Sequence, residues 1–152
     1  MLLDPKHNFN IEIWHNRIFL LTLMVWALAQ TTKVLLGILR EQRFNFRWFI
    51  GTGGMPSSHA AGVTALATST GMEYGFDGAL FAVAAIFALV TMFDAQGVRR
   101  AAGQQATILN KIMEDMWVGQ IEEKKLIELV GHTPIQVLAG FAFGVFWTLV
   151  LY

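Results

Sequence analysis

The chain has 152 residues, of which 55% are hydrophobic and 14% are charged, and its formal net charge is zero. A typical soluble domain carries about 25% charged residues, so the composition favours a membrane protein. The neutral balance argues against a nucleic-acid partner, which requires a basic surface. The absence of cysteine excludes disulfides, thiolate metal sites and cysteine nucleophiles, and the length fits one membrane-embedded domain over 1–152.

The first strongly apolar segment, Ile18–Leu39, predicts a membrane-spanning helix. Its only charge is Lys33, and at 1.5 Å per residue it extends about 33 Å, enough to cross a hydrocarbon core of about 30 Å. Lys33 and Arg40 are seven residues apart, so they share one stripe of the helix. A lysine in a membrane helix usually faces the bundle interior or a polar cavity. The alternative is a lysine that snorkels to the headgroups.

A basic and aromatic connector over 40–50 leads into the glycine-rich sequence GTGGMPSSHAAG at 51–62. Adjacent glycines allow backbone amides to converge on one point, and Pro56 fits a first helical turn. A helix N-terminus of this kind binds anions, phosphate above all, with His59 beside it as a proton donor or acceptor. The predicted phosphate contacts and caps are Gly54, Ser57 and Ser58. A glycine-rich turn with an incidental histidine is the alternative.

Three further apolar segments complete the predicted bundle. Ser57–Gly71 is rich in small residues, which predicts a helix buried among the others; at about 21 Å it is short for a full crossing. Gly78–Phe93 and Ile135–Tyr152 predict two more apolar helices. Gly140 and Gly144 form a G-x-x-x-G pair, which favours close packing either within the chain or across a homodimer.

The segment Asp94–Gly131 is polar but carries apolar residues at helical spacing. This pattern predicts two amphipathic helices that lie near the membrane face or form a cap outside it. The predicted fold is therefore an all-α integral membrane bundle with about four transmembrane helices plus amphipathic interfacial helices.

If all four apolar segments cross the membrane, the chain emerges on one face at 40–56 and again at 94–133. Five polar side chains then meet at that face, namely His59, Asp94, Arg99, Arg100 and His132. Eight of the eleven basic residues fall on the same side, so the positive-inside rule predicts that this face is cytoplasmic. Arginine suits bidentate phosphate binding, although a salt bridge to Asp94 is a structural alternative.

Two histidines, several cations and a turn of backbone amides at a lipid–water boundary indicate phosphoryl transfer. This reaction needs charge stabilisation on three equatorial oxygens, an in-line nucleophile and an acid for the leaving oxygen. One histidine can attack to form a phosphohistidine while the other protonates the departing alcohol. Such a route requires no metal and no other cofactor. For His132, which precedes Thr133-Pro134 at a break between helices, a capping or interfacial role is the alternative.

Three ordered blocks resemble the signatures of the divergent type-2 phosphatidic acid phosphatase family, which is related to acid phosphatases and vanadium haloperoxidases. The blocks are GGMPSSHAA at 53–61, DAQGVRRAAGQQA at 94–106 and ELVGHTPIQVLAG at 128–140. The wider superfamily pattern reads K-x6-RP, then PSGH, then SR-x5-H-x3-D. The resemblance implies that Lys33 and Arg40 contact phosphate, that His132 is the nucleophile and that His59 is the general acid.

The sequence departs from the wider pattern at four positions. They are Glu41 for the proline, Ser58 for the glycine, Leu126 for the arginine and Gln136 for the aspartate. Arg99 or Arg100 would supply the missing cation from another helix. Asp94 or Glu128 would orient His132, or no carboxylate does. The amide of Gln136 can hold an imidazole tautomer but cannot stabilise an imidazolium as a carboxylate would.

The sequence thus predicts a membrane phosphatase, surrounded by membrane lipids, that hydrolyses a lipid phosphate monoester or pyrophosphate. Four short spans are few for a sealed site, so a homodimer is also expected. The main alternative is a non-catalytic relative that binds or moves a lipid phosphate. A magnesium-dependent phosphotransferase, read from D-x2-G-x2-R at Asp94–Arg100, lacks most of the aspartates that such an enzyme needs. A purely structural membrane protein is the remaining alternative.

Overall fold

The computed structural model describes residues 9–42, 54–116, 126 and 131–152, and these residues form helices without strands. In chain order the helices are α1 Phe9–His15, α2 Arg17–Glu41, α3 Ser58–Tyr74, α4 Ala79–Gln96, α5 Val98–Met116 and α6 Pro134–Leu151. The all-α prediction is therefore confirmed. Most of the predicted 40–50 connector lies outside the described residues, as does the second predicted amphipathic helix.

Helix α3 is the centre of the bundle and packs against α2, α4 and α6. Its buried residues are alanines, glycines and hydroxyl residues, which let neighbouring backbones approach closely. Two of the hydroxyls in this interior bond to their own helix: Ser69 Oγ donates to the Ala65 carbonyl at 2.7 Å and Thr70 Oγ1 to the Leu66 carbonyl at 2.7 Å. The small-residue pattern therefore predicted correctly which helix is enclosed by the others.

The glycine pair of α6 faces α3 within the same chain. A Cβ at Gly140 would collide with the carbonyl oxygen of Ser57, and one at Gly144 would lie 2.6 Å from the carbonyl oxygen of Ala61. The two backbones approach so closely that neither glycine has room for a methyl group. Of the two predicted uses of this G-x-x-x-G pair, the structure shows packing inside the chain.

Within the part of the chain that the structure describes, three stretches are long and apolar enough to cross a membrane: Arg17–Glu41, Ala79–Met113 and Pro134–Leu151. The second of these contains α4 and most of α5. The prediction was about four, and the difference arises at α3, whose 17 residues extend only about 25 Å and include many hydroxyl residues. A membrane-spanning bundle is supported, while a fourth crossing is not confirmed.

Helix α4 shows how the bundle meets its surroundings. Its buried residues are alanines such as Ala84 and Ala88, whereas Val83 is 69% exposed and Phe93 is 72% exposed. Large apolar side chains on the outside and small ones inside are what a hydrocarbon solvent permits, since lipid tails are as apolar as the side chains that face them.

Helix α5 is the first of the two predicted amphipathic helices. It buries Ala106 and Asn110 and exposes Ile108 and Ile112. In the Asn110 side chain, Nδ2 donates to the Leu126 backbone carbonyl at 3.0 Å, and Oδ1 accepts from the Leu126 backbone amide at 2.9 Å. Leu126, which stands where the superfamily pattern has an arginine, is therefore held to α5 through its backbone while its side chain is exposed.

Polar side chains lie at both ends of the bundle. We call the end opposite His59 and His132 the far end. It consists of Arg17, Glu73 and Tyr152, at the termini of α2, α3 and α6. Tyr152 Oη donates to Glu73 Oε2 at 2.7 Å, and the Arg17 guanidinium lies 4.0 Å from the centre of the Tyr152 ring. These contacts fasten three helices together.

Candidate active site

Helix α3 begins at a capped turn. Ser57 has extended backbone angles, and its Oγ accepts a hydrogen bond from the Ala60 amide at 3.3 Å. Ser57 is thus the cap, and Pro56 precedes it instead of lying in the first helical turn as predicted. The amides of Ser58 and His59 are then the first two of the helix, with no carbonyl four residues earlier in the helix to accept from them.

Helix α6 begins with a reciprocal capping box. Thr133 Oγ1 accepts from the Gln136 amide at 3.3 Å, and Gln136 Oε1 accepts from the Thr133 amide at 3.0 Å. The same Oε1 lies 3.3 Å from His132 Nδ1. Because an amide oxygen only accepts hydrogen bonds, the proton of the neutral imidazole is on Nδ1, and Nε2 carries the lone pair.

His132 is buried, with 3% of its surface exposed, and its Nε2 has no hydrogen-bond partner. Among the described residues the other buried side-chain atoms without partners are the hydroxyls of Thr22 and Thr64. The backbone amide of His132 donates to the Ala95 carbonyl at 3.0 Å, which ties the segment before α6 to the end of α4. The imidazole is therefore fixed in place while its basic nitrogen is left unused.

Burial lowers the pKa of His132. The hydrogen bond to Gln136 acts in the opposite direction, and the charges of His59, Lys33 and Arg99 add to the lowering. The electrostatic surroundings of His132 are therefore positive, and they favour the neutral imidazole.

The two histidines predicted to act together are neighbours. The ring centres of His59 and His132 are 6.1 Å apart, and the ring planes are inclined by 60°. His59 projects from the first turn of α3 and is half-buried, whereas His132 precedes α6. At this separation both rings can contact one phosphoryl group within hydrogen-bond reach.

Lys33 is the cation that α2 contributes to this region. It is 7% exposed, and its charge reaches both imidazoles. Its stem packs over Gly54, where a Cβ would lie 2.9 Å from Lys33 Cγ and where φ is 87°. Gly54, which the sequence predicted as a phosphate contact, makes room for the lysine in the structure. Arg40 is exposed, two helical turns beyond Lys33.

Arg99 is the arginine whose charge reaches both imidazoles. Its Nε lies 2.8 Å from Asp94 Oδ2, and the two side chains are 42% and 39% exposed. Asp94, predicted as an orienting group for His132, is therefore placed on Arg99, while Gln136 is the side chain at His132 Nδ1. Glu128, the other predicted carboxylate, lies outside the described residues.

Arg100 is exposed and contributes to the site through its backbone. A Cβ at Gly131, where φ is 98°, would lie 2.5 Å from the Arg100 amide nitrogen and 2.9 Å from the Arg99 carbonyl carbon. The glycine before His132 therefore rests directly on the first turn of α5, which fixes where the histidine lies.

Of the helices that the structure describes, α3, α5 and α6 begin at this end of the bundle. The Ser57 amide donates to the Gln136 carbonyl at 3.1 Å, which joins the starts of α3 and α6, and Gly131 contacts the start of α5. Each helix start carries partial positive charge and amide donors. Together with Lys33 and with Arg99, whose charge Asp94 partly offsets, they form a basin of positive charge around the histidine pair.

The chain matches the family model described as the divergent PAP2 family over residues 14–147. The chain belongs to the divergent PAP2 family. This divergent PAP2 protein is also 44% identical, over 153 aligned positions, to the uncharacterized membrane protein YuiD of Bacillus subtilis (strain 168), with 93% of this chain and 97% of that protein covered. No solved structure matches it. Family membership connects the chain to phosphatase-related proteins, and the relative supports its placement in a membrane.

Sequence reasoning missed part of the arrangement around His132. The T-x-x-Q pattern at Thr133–Gln136 is a capping-box signal that can be read directly from the sequence, and it would have placed the Gln136 side chain back toward residue 133. The bond from the His132 amide to the Ala95 carbonyl has no sequence signal, because it joins segments that only the tertiary fold brings together.

Proposed function

We propose that this divergent PAP2 protein is a membrane lipid-phosphate phosphatase. Its substrate is a lipid phosphate monoester or pyrophosphate, its nucleophile is His132 and its general acid is His59. The observation that carries the proposal is the buried Nε2 of His132, which has no partner and lies beside a second imidazole whose ring centre is 6.1 Å away. A buried polar atom without a partner is costly, and the electrophilic phosphorus of a bound substrate would engage the Nε2 lone pair.

In the first step the Nε2 lone pair of His132 attacks the phosphorus. The phosphorus–oxygen bond to the lipid breaks, and the departing oxygen takes a proton from His59. Burial and the charges of Arg99 and Lys33 lower the pKa of His59, and the negative charge of the bound phosphate offsets this lowering, so that the imidazole is protonated in the complex. Gln136 holds the His132 proton on Nδ1, so that Nε2 needs no deprotonation before it attacks. Lys33, Arg99 and the amides of the helix starts offset the negative charge on the equatorial oxygens.

In the second step water attacks the phosphohistidine. His59, neutral after giving up its proton, accepts a proton from that water, the nitrogen–phosphorus bond breaks and inorganic phosphate leaves. This returns His132 to its neutral form and His59 to its protonated form. The excess of basic residues in 40–56 and 94–133 supports a cytoplasmic orientation for this face.

The proposal is tested with purified protein in detergent, phosphatidic acid or a lipid pyrophosphate, and a chelator of divalent metals. We expect release of inorganic phosphate, together with an alkali-stable, acid-labile phosphate on His132 detected by mass spectrometry after rapid quenching. Absence of both phosphate release and the phosphohistidine with either substrate would contradict the proposal. Activity that required added magnesium would contradict the metal-independent route.

One observation favours a second candidate function, the binding or transport of a lipid phosphate without hydrolysis. The group at His132 Nδ1 is the amide of Gln136, which cannot stabilise a developing imidazolium as a carboxylate would. Calorimetric binding of the lipid phosphate by a wild-type protein that shows no turnover would favour this candidate, particularly if His132→Ala still binds.

A further inference from the structure

An apolar groove of about 450 Å³ runs between α4 and α6. On α4 it is lined by Leu89 and Phe93, with Gln96 at one end; on α6 it is lined by Leu138 and Phe141, with Pro134 at the same end as Gln96. Its volume lies within the range of about 300–1,000 Å³ that is typical of small-molecule sites. The groove therefore changes along its length from purely apolar walls to an end with a polar side chain.

The polar end of the groove adjoins the histidine pair. Pro134 follows His132 by two residues, and Ala95, next to Gln96, accepts the His132 amide at 3.0 Å. The groove lining includes Val137, which packs with Ala95 and with Ala60, the neighbour of His59. The same short segments thus form both the end of the groove and the surroundings of the two imidazoles.

The opposite side of the groove faces outward from the bundle. Phe93 is 72% exposed and Leu138 is 66% exposed, and both belong to helices long and apolar enough to cross a membrane. An occupant that reaches from this surface to the basin at Lys33 and Arg99 must join an apolar chain to an anionic head. A lipid phosphate has this construction, whereas a free phosphate or a soluble phosphate ester has no apolar chain to lie along these walls.

We propose that the groove between α4 and α6 holds the hydrocarbon chain of the lipid whose phosphate binds at the histidine pair. The inference rests on the proposed function and adds to it that the substrate enters sideways from the bilayer. A chain that moves from lipid into this groove exchanges one apolar environment for another. The groove therefore acts by positioning the phosphorus against His132 Nε2, and only weakly by adding affinity.

The first experiment detects a lipid chain in the groove and does not require turnover. Protein reconstituted in phosphatidylcholine vesicles is exposed to phosphatidic acid that carries a photoreactive diazirine in its acyl chain, and the labelled peptides are identified by mass spectrometry. We expect labels at Phe93 and Leu138 that unlabelled phosphatidic acid competes away. Labelling at Leu149, which is also exposed on α6 at 58% but lies outside the groove lining, should not be competed. Equal competition at both positions would overturn the proposal.

The second experiment fills the groove with a larger side chain. Leu138→Trp is compared with the matched Leu149→Trp, and the ratio of kcat/KM for long-chain to short-chain phosphatidic acid is measured for each. We expect this ratio to fall at least about tenfold in Leu138→Trp, because misplacing a substrate by about 1 Å can cost about a hundredfold in rate. In Leu149→Trp it should change less than about twofold. The same ratio in both variants would overturn the proposal.

The outcomes separate this inference from the proposed function. If wild-type protein releases no phosphate but shows competed labels in the groove, the phosphatase proposal fails and the lipid groove stands. If it releases phosphate with no competed labels there, the groove proposal fails alone. Since the natural chain contains no cysteine, Leu138→Cys also reports a second copy of the chain over the groove: formation of a disulfide-linked dimer in place of lipid labelling would overturn the proposal.

Discussion

The two polar ends of the bundle use their side chains in different ways. At the far end the partners are complete, because Tyr152 donates to Glu73 and the Arg17 guanidinium lies on the Tyr152 ring. At the histidine end Ser57, Thr133 and Gln136 are likewise satisfied, but His132 Nε2 is buried without a partner. The side chains of the far end join helices to one another, whereas the histidine end contains a basic nitrogen without a partner among the described residues.

The contrast separates contacts that stabilise the fold from contacts that serve the chemistry. Leaving a buried polar atom unpaired costs about 1–3 kcal/mol, and the fold accepts that cost beside two cations and three helix starts. Interactions at the far end should therefore affect stability alone, while those at the histidine end should affect turnover.

The largest expected effect is that of His132→Ala. Removal of the attacking nitrogen should lower phosphate release from phosphatidic acid by about a thousandfold or more, as expected for loss of a nucleophile. His59→Ala should cost about 100–10,000-fold, the usual contribution of a general acid. Initial rates in detergent measure both, with circular dichroism as the check that each variant is folded. Near-normal rates in either folded variant would break the proposed contrast between the two ends.

The two neighbouring arginines provide a sharper comparison within the histidine end. Arg99→Ala removes a cation whose charge reaches both imidazoles and should lower kcat/KM by about 10–100-fold. Arg100→Ala removes an exposed side chain and should change kcat/KM by about twofold or less. Steady-state kinetics measure the two values. A greater loss in Arg100→Ala would show that the wrong arginine has been assigned to the phosphate.

The contact between α3 and α6 should be sensitive to a single methyl group. Gly140→Ala forces a Cβ against the Ser57 carbonyl and should destabilise the protein by about 1–3 kcal/mol. It should also slow phosphate release, because Ser57 caps the helix that carries His59. Thermal unfolding in detergent measures the first effect.

Gly62→Ala is the matched control for this contact. Its Cβ would lie 3.5 Å from Trp26 Cδ1, an ordinary contact, so the greater helix propensity of alanine should raise stability by up to about 1 kcal/mol. If both substitutions destabilise α3 and α6 equally, close backbone packing at Gly140 is not what holds this end together.

The pH dependence tests the electrostatics around His132. Burial lowers the pKa of His132 from its ordinary value, about 6.5, so the neutral nucleophile persists and the acid limb of kcat/KM should lie below pH 6.5. The folded protein binds fewer protons than the unfolded chain here, so stability at this residue is full above about pH 6.5 and declines as the pH falls below that value.

Gln136→Glu should reverse part of this behaviour. A carboxylate at His132 Nδ1 favours the imidazolium, so the pKa of His132 should rise and the acid limb should move to higher pH. A pH–rate profile of the variant beside wild type measures the shift. An unchanged acid limb would mean that His132 is not the group that titrates.

The smallest effect is expected at the far end. Tyr152→Phe removes the hydrogen bond to Glu73 and leaves the ring under Arg17, so the melting temperature should fall slightly while phosphate release stays at the wild-type rate. Phosphate assays and melting curves on the same preparation test both parts. A marked loss of turnover would abolish the division of roles between the two ends.

The sequence predicted the fold to the extent that composition and residue size determine it. Apolar length placed α2, α4 and α6, and small residues showed that α3 is enclosed. The assumption that successive apolar helices cross the membrane in opposite directions also predicted that His59 and His132 lie at one end of the bundle. The resemblance supplied their assignment as acid and nucleophile, which the structure leaves as a proposal.

The remaining details depend on helix rotation and on contacts between distant segments. Arg99 and Arg100 are adjacent in sequence, and which of them faces the imidazoles is set by the phase of α5, fixed where Gly131 rests on its first turn. Likewise, a G-x-x-x-G pair predicts that another helix packs closely against it but does not say which one. Only the packed structure identifies α3 as the neighbour of Gly140 and Gly144.

The double use of the Gln136 amide links architecture to reactivity. The Oε1 atom of Gln136 both caps the start of α6 and faces His132 Nδ1. A substitution at this position therefore changes the helix cap and the protonation of the His132 ring together. A Gln136→Asp variant would need another acceptor for the Thr133 amide, which the Gln136 side chain now binds. Variation at this residue is thereby constrained twice, once by folding and once by proton chemistry.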